Sequence, residues 1–238
     1  MAVSLQDRHI LITGASRGLG RHLAFKLHEQ GARLSLLARN LKHLEEIKQQ
    51  LGRKVSIYAV DLCNRKDMED AVRYIEYRQG DVEVLINNAG GAVYQPFEEA
   101  DRDTLDYTMR INFDALVHIT RSVVGKMKAN GAGMILNVAS DLARRPLANM
   151  ATYTAAKHAV AGFSQSLTRE LAPHNIGVML LNPGLIDSTF GGRQQGDISA
   201  PYALNPDDVS DVILFMLTRP AYVIMDEVSL HPAKQEGF

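Results

Sequence analysis

Apolar and polar positions follow two rhythms along the chain. Short runs rich in Leu, Ile and Val recur at His9 to Thr13, Arg33 to Leu37, Val55 to Val60, Val82 to Ile86, Gly133 to Val138, Ile176 to Leu181 and Glu227 to Leu230. Between them lie longer stretches with a helical period, near residues 18–30, 41–51, 65–79, 102–129, 152–172 and 207–218. This alternation predicts an α/β fold, a doubly wound parallel sheet of about seven strands with helices on both faces. No Pro/Gly/Ser-rich linker, repeat or low-complexity tract interrupts it, so residues 1–238 are expected to form a single domain.

Two helices carry apolar residues on more than one face. One includes Leu105, Met109, Ile111, Phe113, Leu116, Val117, Ile119 and Val123, and the other Ala156, Val160, Phe163, Leu167 and Leu171. A helix apolar around most of its circumference is sheathed by protein or joins an oligomer contact. Residues 185–205, rich in Gly, Ser, Gln and Asp, read as a long surface loop of the kind that often covers a site.

Composition narrows the partners. With 26 Lys and Arg against 27 Asp and Glu, the 238-residue chain has a net charge of -1, which gives no global field for nucleic acid or a membrane. The distribution is uneven: residues 1–60 carry a net +6 and residues 61–106 a net -7. The single cysteine, Cys63, excludes an intramolecular disulfide and a cysteine-cluster metal site. No histidine pair has metal-ligand spacing, so no metal is expected. The apolar runs are strand-sized and Met1 to Arg8 lacks the pattern of a secretory leader, which makes a cytoplasmic protein the expectation.

Candidate chemistry begins directly after the first strand, at Thr13-Gly14-Ala15-Ser16-Arg17-Gly18-Leu19-Gly20. Glycines 14, 18 and 20 permit a tight strand-to-helix turn and let a pyrophosphate approach the backbone, whose unpaired N–H groups at the helix start attract an anion. The second strand ends near Ala38-Arg39. A site selective for NAD usually carries an acidic residue there to bind the ribose 2′-hydroxyl. Arg39 and Arg17 instead suit a 2′-phosphate, which predicts NADP(H). Farther on, Tyr153 and Lys157 share a helix face, with Ser140 just past the fifth strand. A tyrosine works as an acid–base group near neutrality only if about 4 kcal/mol of anion stabilisation lowers its pKa of about 10. An ammonium about 5 Å away supplies about 3 kcal/mol at an effective dielectric of about 20. Lys157 is therefore an adequate partner.

Together these motifs resemble the short-chain dehydrogenase/reductase family in its compact form. The resemblance spans residues 7–190 and rests on the glycine loop, Asp61-Leu62, Asn87-Asn88-Ala89-Gly90, Asn112, Ser140, Tyr153/Lys157 and Pro183-Gly184, all in order. It implies a single-domain Rossmann fold and an NADP(H)-dependent oxidoreductase that interconverts a ketone or aldehyde and an alcohol. The cofactor would be held by Gly14, Ser16, Arg17, Gly18, Leu19, Gly20 and Arg39, by Asp61 and Leu62 at the adenine, and by Asn88, Ala89 and Gly90 along its middle. Pro183, Gly184, Ser188 and Thr189 would surround the nicotinamide. Asn112 would hold a water in a proton relay, Ser140 would bind the substrate carbonyl, and Tyr153 would exchange the proton. Lys157 would bind the nicotinamide ribose and lower the Tyr153 pKa. Four-helix contacts common in the family imply a homodimer or homotetramer.

The tail Tyr222 to Pro232 lacks the acidic residue and paired glycines of many acyl-carrier-protein ketoreductases, and so resembles members acting on small hydroxy acids, amino alcohols or assorted carbonyls. Leu142, Met150, Leu185 and Phe190 would line an apolar substrate pocket. Arg144 and Arg145 read either as solvated loop charges or as a seat for an anionic substrate group. Two other readings stay open on sequence alone: a catalytically silent NADP(H)-binding sensor or scaffold, and an NAD-dependent alcohol or steroid dehydrogenase.

Overall fold

The computed structural model describes residues 3–193, 195–196, 202–220 and 222–235. Its strands are β1 (His9–Thr13), β2 (Arg33–Ala38), β3 (Val55–Ala59), β4 (Val84–Asn87), β5 (Gly133–Val138), β6 (Ile176–Pro183) and β7 (Glu227–Leu230). All pair in parallel in one seven-stranded sheet, in the order β3-β2-β1-β4-β5-β6-β7. The chain winds outward from β1 to β3, crosses back to β4 and winds outward again. Every strand therefore ends on the same edge, and a crevice opens where the two windings part.

The helices are α1 (Gly18–Glu29), α2 (Leu41–Leu51), α3 (Arg65–Gln79), α4 (Arg102–Met109), α5 (Ala115–Asn130), α6 (Ala151–Leu171) and α7 (Pro206–Leu217). Alternate strand residues serve two cores. Ile10, Ile12, Leu34 and Leu36 pack with Leu23 and Leu27 of α1 and Ile213 and Leu217 of α7. Leu11, Leu37, Leu85 and Ile135 meet Met68 and Val72 of α3 and Ile119 and Val123 of α5 on the other face. Burial on both faces explains why β1 reads as an unbroken apolar run.

The helix expected over residues 102–129 is interrupted. A π-helical stretch, Arg110–Asp114, separates α4 from α5. The Asn112 side chain lies within it and donates to the Thr108 carbonyl one turn back (2.8 Å) and to the Gly91 carbonyl (2.6 Å). A polar side chain inserted into the backbone ladder in this way breaks the regular period, which apolar spacing alone does not register.

A buried polar chain crosses the middle of the sheet. Asn87 Nδ2 donates to Thr120 Oγ1 (3.0 Å) and Asn137 Oδ1 (2.8 Å), and Asn137 Nδ2 donates to Ser164 Oγ (2.9 Å). It fastens β4 and β5 to α5 and α6, the helices that carry the candidate chemistry. Asn137→Ala removes two of these bonds and leaves a small cavity, so unfolding free energy from chemical denaturation is expected to fall by about 2–4 kcal/mol.

Candidate active site

The carboxyl edge of the sheet opens into a cavity of about 1070 Å³. Most side chains singled out from the sequence line it: Gly14, Ser16 to Leu19, Arg39, Asp61, Leu62, Asn88 to Gly90, Ser140, Tyr153, Lys157, Pro183, Gly184, Ser188 and Thr189. Gly20 and Asn112 are not among the lining residues and act from behind it. A Cβ on Gly20 would lie 2.4 Å from the Gly14 carbonyl and 2.5 Å from Asn88 Nδ2, so Gly20 is what allows α1 to approach β1. Asn112 Oδ1 accepts from the Gly91 N–H (3.2 Å) while its amide holds the Gly91 carbonyl, which clamps the loop after β4. A Cβ on Gly90 would meet Asn112 Oδ1 at 2.7 Å and Lys157 Nζ at 3.6 Å. The Asn112 side chain is thus committed to backbone groups.

The ends of β1 and β4 are tied together at the crevice. Thr13 Oγ1 accepts from the N–H groups of Asn88 and Ala89 (both 3.0 Å), and Asn88 Nδ2 donates to the carbonyls of Thr13 (2.9 Å) and Gly14 (3.2 Å). Above them α1 starts at Gly18 with no side-chain cap, in contrast to α2, α3, α4 and α7, where Asn40, Asn64, Asp101 and Asn205 supply one. The open N–H groups at this helix start suit a pyrophosphate, and Gly14, where a Cβ would lie 2.8 Å from Ala89 Cα, lets the loop after β1 pack against the loop after β4. Arg17 and Arg39 stand exposed at this end with Asn40 and His43, and the Arg39 guanidinium lies 5.8 Å from the Tyr107 ring centre. Asp61 Oδ1 accepts from the Cys63 N–H (3.0 Å). At the opposite end Thr189 Oγ1 is buried without a hydrogen-bond partner among the described residues, an open polar position suited to a carboxamide. Of the expected loop 185–205, residues 194 and 197–201 lie outside the described residues. Its two ends are joined by Asp187 N–H to the Leu204 carbonyl (2.9 Å) and Leu204 N–H to the Leu185 carbonyl (2.8 Å).

Tyr153 and Lys157 are buried at 7% and 3% exposure on one face of α6. Lys157 Nζ donates to the Val138 carbonyl (3.1 Å) and lies 5.5 Å from the Tyr153 ring centre. Burial lowers the lysine's pKa to about 8. Burial also pushes Tyr153 well above its ordinary value; a hydrogen bond with the Ser140 side chain opposes this, and the Asp141 charge adds to it. In the chain by itself the tyrosine is thus moved up, not down as expected from Lys157. The physical reason is that desolvation of the phenolate outweighs its neighbours, and burial also weakens the charge on the lysine.

Ser140 sits where β5 ends. Its Oγ donates to Asp141 Oδ1 (3.0 Å) and accepts from the Leu142 N–H (3.2 Å). Asp141 Oδ2 accepts from Gln235 Nε2 (2.6 Å), and Gln235 Oε1 accepts from the Leu185 N–H (3.0 Å). Asp141, Gln235, His43 and Tyr107 were all missed in sequence. Gln235 joins the site only through the fold, and no local signal marks it. Arg144 is an exposed charge, as in the first of the two sequence readings, and it forms a two-pronged pair with Glu227 of β7 (2.8 and 2.7 Å). Arg145 lines the cavity.

A family model described as short chain dehydrogenase matches residues 8–197. An oxidoreductase of Staphylococcus epidermidis, described as uncharacterized, is 27% identical over 228 residues, covering 96% of this chain and 98% of its own. Among solved structures, an alcohol dehydrogenase from the archaeon Thermococcus sibiricus complexed with 5-hydroxy-NADP superposes with a TM-score of 0.90 at 27% identity, covering 97% of this chain and 99% of that one. The closed form of a serine dehydrogenase complexed with NADP+ gives a TM-score of 0.90 at 28% identity and covers 96% of each chain.

Lys157 also makes stability depend on pH. Because its pKa falls from 10.5 to about 8 on folding, the unfolded chain binds more protons between those values and stability rises with pH across that window. Relative to Lys157→Met, the wild-type chain is expected to gain on the order of 3 kcal/mol between pH 7 and pH 10.5, read from denaturation midpoints at each pH.

Proposed function

The chain belongs to the short-chain dehydrogenase family, and we propose that it is an NADP(H)-dependent oxidoreductase that interconverts a ketone or aldehyde and an alcohol. The observation that carries this reading is the pairing of buried Tyr153 and Lys157 with Ser140 in a cavity that begins at an uncapped, glycine-walled helix start. The NADP+ and 5-hydroxy-NADP complexes of the two solved relatives support the choice of cofactor.

When bound, the nicotinamide supplies or accepts the hydride; the chain's own residues bind, orient and move one proton. In this reading the N–H groups at Gly18 to Gly20 and the glycine wall at Gly14 and Ser16 hold the pyrophosphate, while Arg17 and Arg39 take the 2′-phosphate. Asp61 and Leu62 meet the adenine, and Asn88 to Gly90 line the middle of the cofactor. Lys157 holds the nicotinamide ribose, and Pro183, Gly184, Ser188 and Thr189 close around the ring. Tyr153, protonated at neutral pH and pushed further toward that form by its burial, donates its proton to the carbonyl oxygen as that oxygen gains charge, and Ser140 orients the oxygen by a second hydrogen bond. Asn112 acts as a clamp, fixing Gly90 and Gly91 beside Lys157. The apolar flank of Leu142, Met150, Leu185 and Phe190 receives the body of the substrate. The partly exposed pair Phe113 and Phe163, on the stretch before α5 and on α6, is consistent with a homo-oligomer built through these helices.

Tyr153→Phe is expected to bind NADPH within about threefold of wild type, by fluorescence titration, while carbonyl reduction falls at least 10³-fold, since the general acid is gone. Arg39→Ala is expected to weaken NADPH binding about 10- to 100-fold and leave NADH binding nearly unchanged, in the same titration.

A further inference from the structure

The turn after β5 places a carboxylate in the cavity directly beside Ser140, and the mechanism above gives it no part. Asp141 is buried and lines the cavity together with Ser140 and Gln235. Its two oxygens have different partners: Oδ1 accepts from Ser140 Oγ at 3.0 Å, and Oδ2 accepts from Gln235 Nε2 at 2.6 Å. Gln235 is fixed in turn, because its Oε1 accepts from the Leu185 N–H at 3.0 Å, so Oδ2 keeps its donor whatever happens at Ser140. Oδ1 has no such security, since a serine hydroxyl has one proton to give. In the chain alone that proton points to Asp141. Once Ser140 Oγ donates to a carbonyl oxygen, Oδ1 has lost it.

A buried carboxylate oxygen deprived of its donor is costly, because hydrogen bonds to charged groups are among the stronger ones in a protein. The substrate that suits this site therefore brings a donor of its own. A hydroxyl on the carbon next to the carbonyl lies about as far from the carbonyl oxygen as two hydrogen-bonded atoms lie from each other. With the carbonyl on Ser140 Oγ, that hydroxyl reaches Oδ1, which is one hydrogen bond from the same Oγ. We propose that Asp141 is a specificity-determining residue, and that the preferred substrate is a ketone or aldehyde with a hydroxyl or a protonated amine on the adjacent carbon. The reduced product is then a vicinal diol or amino alcohol. Binding is an exchange of hydrogen bonds: Ser140 turns its O–H from Oδ1 to the carbonyl oxygen, and the substrate's donor takes the place it leaves.

The choice of a carboxylate follows from this exchange. Anchoring Gln235 Nε2 needs a single acceptor, which an asparagine would also supply; an aspartate offers two acceptors and no donor. The second acceptor faces Ser140 and selects for donors against ethers and alkyl groups. Ser140 Oγ is held where it can serve both oxygens, since it accepts from the Leu142 N–H at 3.2 Å. Lys157 does not compete for Oδ1, because its Nζ donates to the Val138 carbonyl at 3.1 Å. Leu142 and Leu185, neighbours in the chain of Asp141 and of the Gln235 anchor, line the same cavity and leave room for an apolar group on the far side of the carbonyl.

The inference rests on the carbonyl-binding role proposed for Ser140, and the test separates the two. Reduction by NADPH is measured for α-hydroxyacetophenone, α-aminoacetophenone, α-methoxyacetophenone and propiophenone, which share one apolar ring. The methoxy compound withdraws electrons from the carbonyl much as the hydroxy compound does but has no proton to donate, so the ratio of the two isolates the hydrogen bond. In the wild-type chain kcat/KM for the hydroxy ketone is expected to exceed that for the methoxy ketone and for propiophenone about 10- to 100-fold, mainly through KM. In Asp141→Asn, Gln235 Nε2 keeps the amide oxygen on its own side and leaves an N–H facing the substrate's donor, so the preference is expected to fall below about threefold. A general loss of activity leaves this ratio unmoved. The amino ketone is expected to follow the hydroxy ketone in both chains, and whichever is favoured more identifies the donor. In parallel, the diol and phenylpropanol that correspond to the hydroxy ketone and propiophenone are titrated calorimetrically into the NADPH-bound protein. Without any turnover, the diol is expected to bind about tenfold more tightly. A wild-type preference for the hydroxy over the methoxy ketone below about threefold, or a preference that Asp141→Asn retains, overturns the proposal. If none of the four ketones is reduced, the reductase reading fails instead, and the calorimetric comparison still decides whether a second hydroxyl finds Asp141. Should Asp141→Asn not fold, Asp141→Ala carries the same expectation.

Discussion

The bonds between Thr13 and Asn88 hold together the two strands at which the chain turns in opposite directions. A parallel sheet wound outward from β1 and then from β4 necessarily leaves an opening between the two connections. The opening is useful only if its walls are rigid. Thr13 Oγ1 takes two backbone N–H groups, and the Asn88 amide spans two backbone carbonyls, so both loops are set relative to each other to within a hydrogen bond. Gly14 and Gly20 follow from this closeness, because a Cβ at either position would run into backbone or the Asn88 amide. The bare helix start that remains is the part of the molecule best suited to a pyrophosphate.

The chemistry at the other end depends on desolvation. Lys157 and Tyr153 are placed where neither charge is well solvated, and each is pushed toward its neutral form. This costs stability in the chain alone, and it yields groups whose protonation answers to whatever charge is brought beside them. Asp141 belongs to the same economy of charge: a carboxylate buried with two hydrogen-bond partners, one beside the reacting position and one from the end of the chain. The polar chain from Thr120 through Asn87 and Asn137 to Ser164 keeps α5 and α6 in register with the sheet, so that these groups stay where burial acts on them.

Much of this was legible in the residues. The seven apolar runs became the seven strands with ends displaced by at most two residues; in β1, β2, β4 and β6 burial on both faces writes a continuous signal, whereas β3 and β7 at the sheet edges are only partly buried. The glycine loop, the strand-end Arg39 and the i, i+4 spacing of Tyr153 and Lys157 are local patterns, and each was read where it stands. The interruption at Arg110–Asp114 was not legible, since Leu105 to Val123 stay apolar through it and only the Asn112 side chain, reaching Thr108 and Gly91, breaks the ladder.

The sequence by itself determined the fold class, the order of the strands in the chain and most of the residues that gather around one cavity. Periodicity and short-range spacing carry that information within a few turns of backbone. Only the tertiary structure decided that Arg144 is spent on Glu227, that Tyr153 lies higher than its ordinary pKa, and that Asp141 and Gln235 form part of the same site. These outcomes depend on which groups distant parts of the chain bring within 3 Å and on how much water is excluded around them. Neither quantity exists until the sheet and its two helical layers have closed.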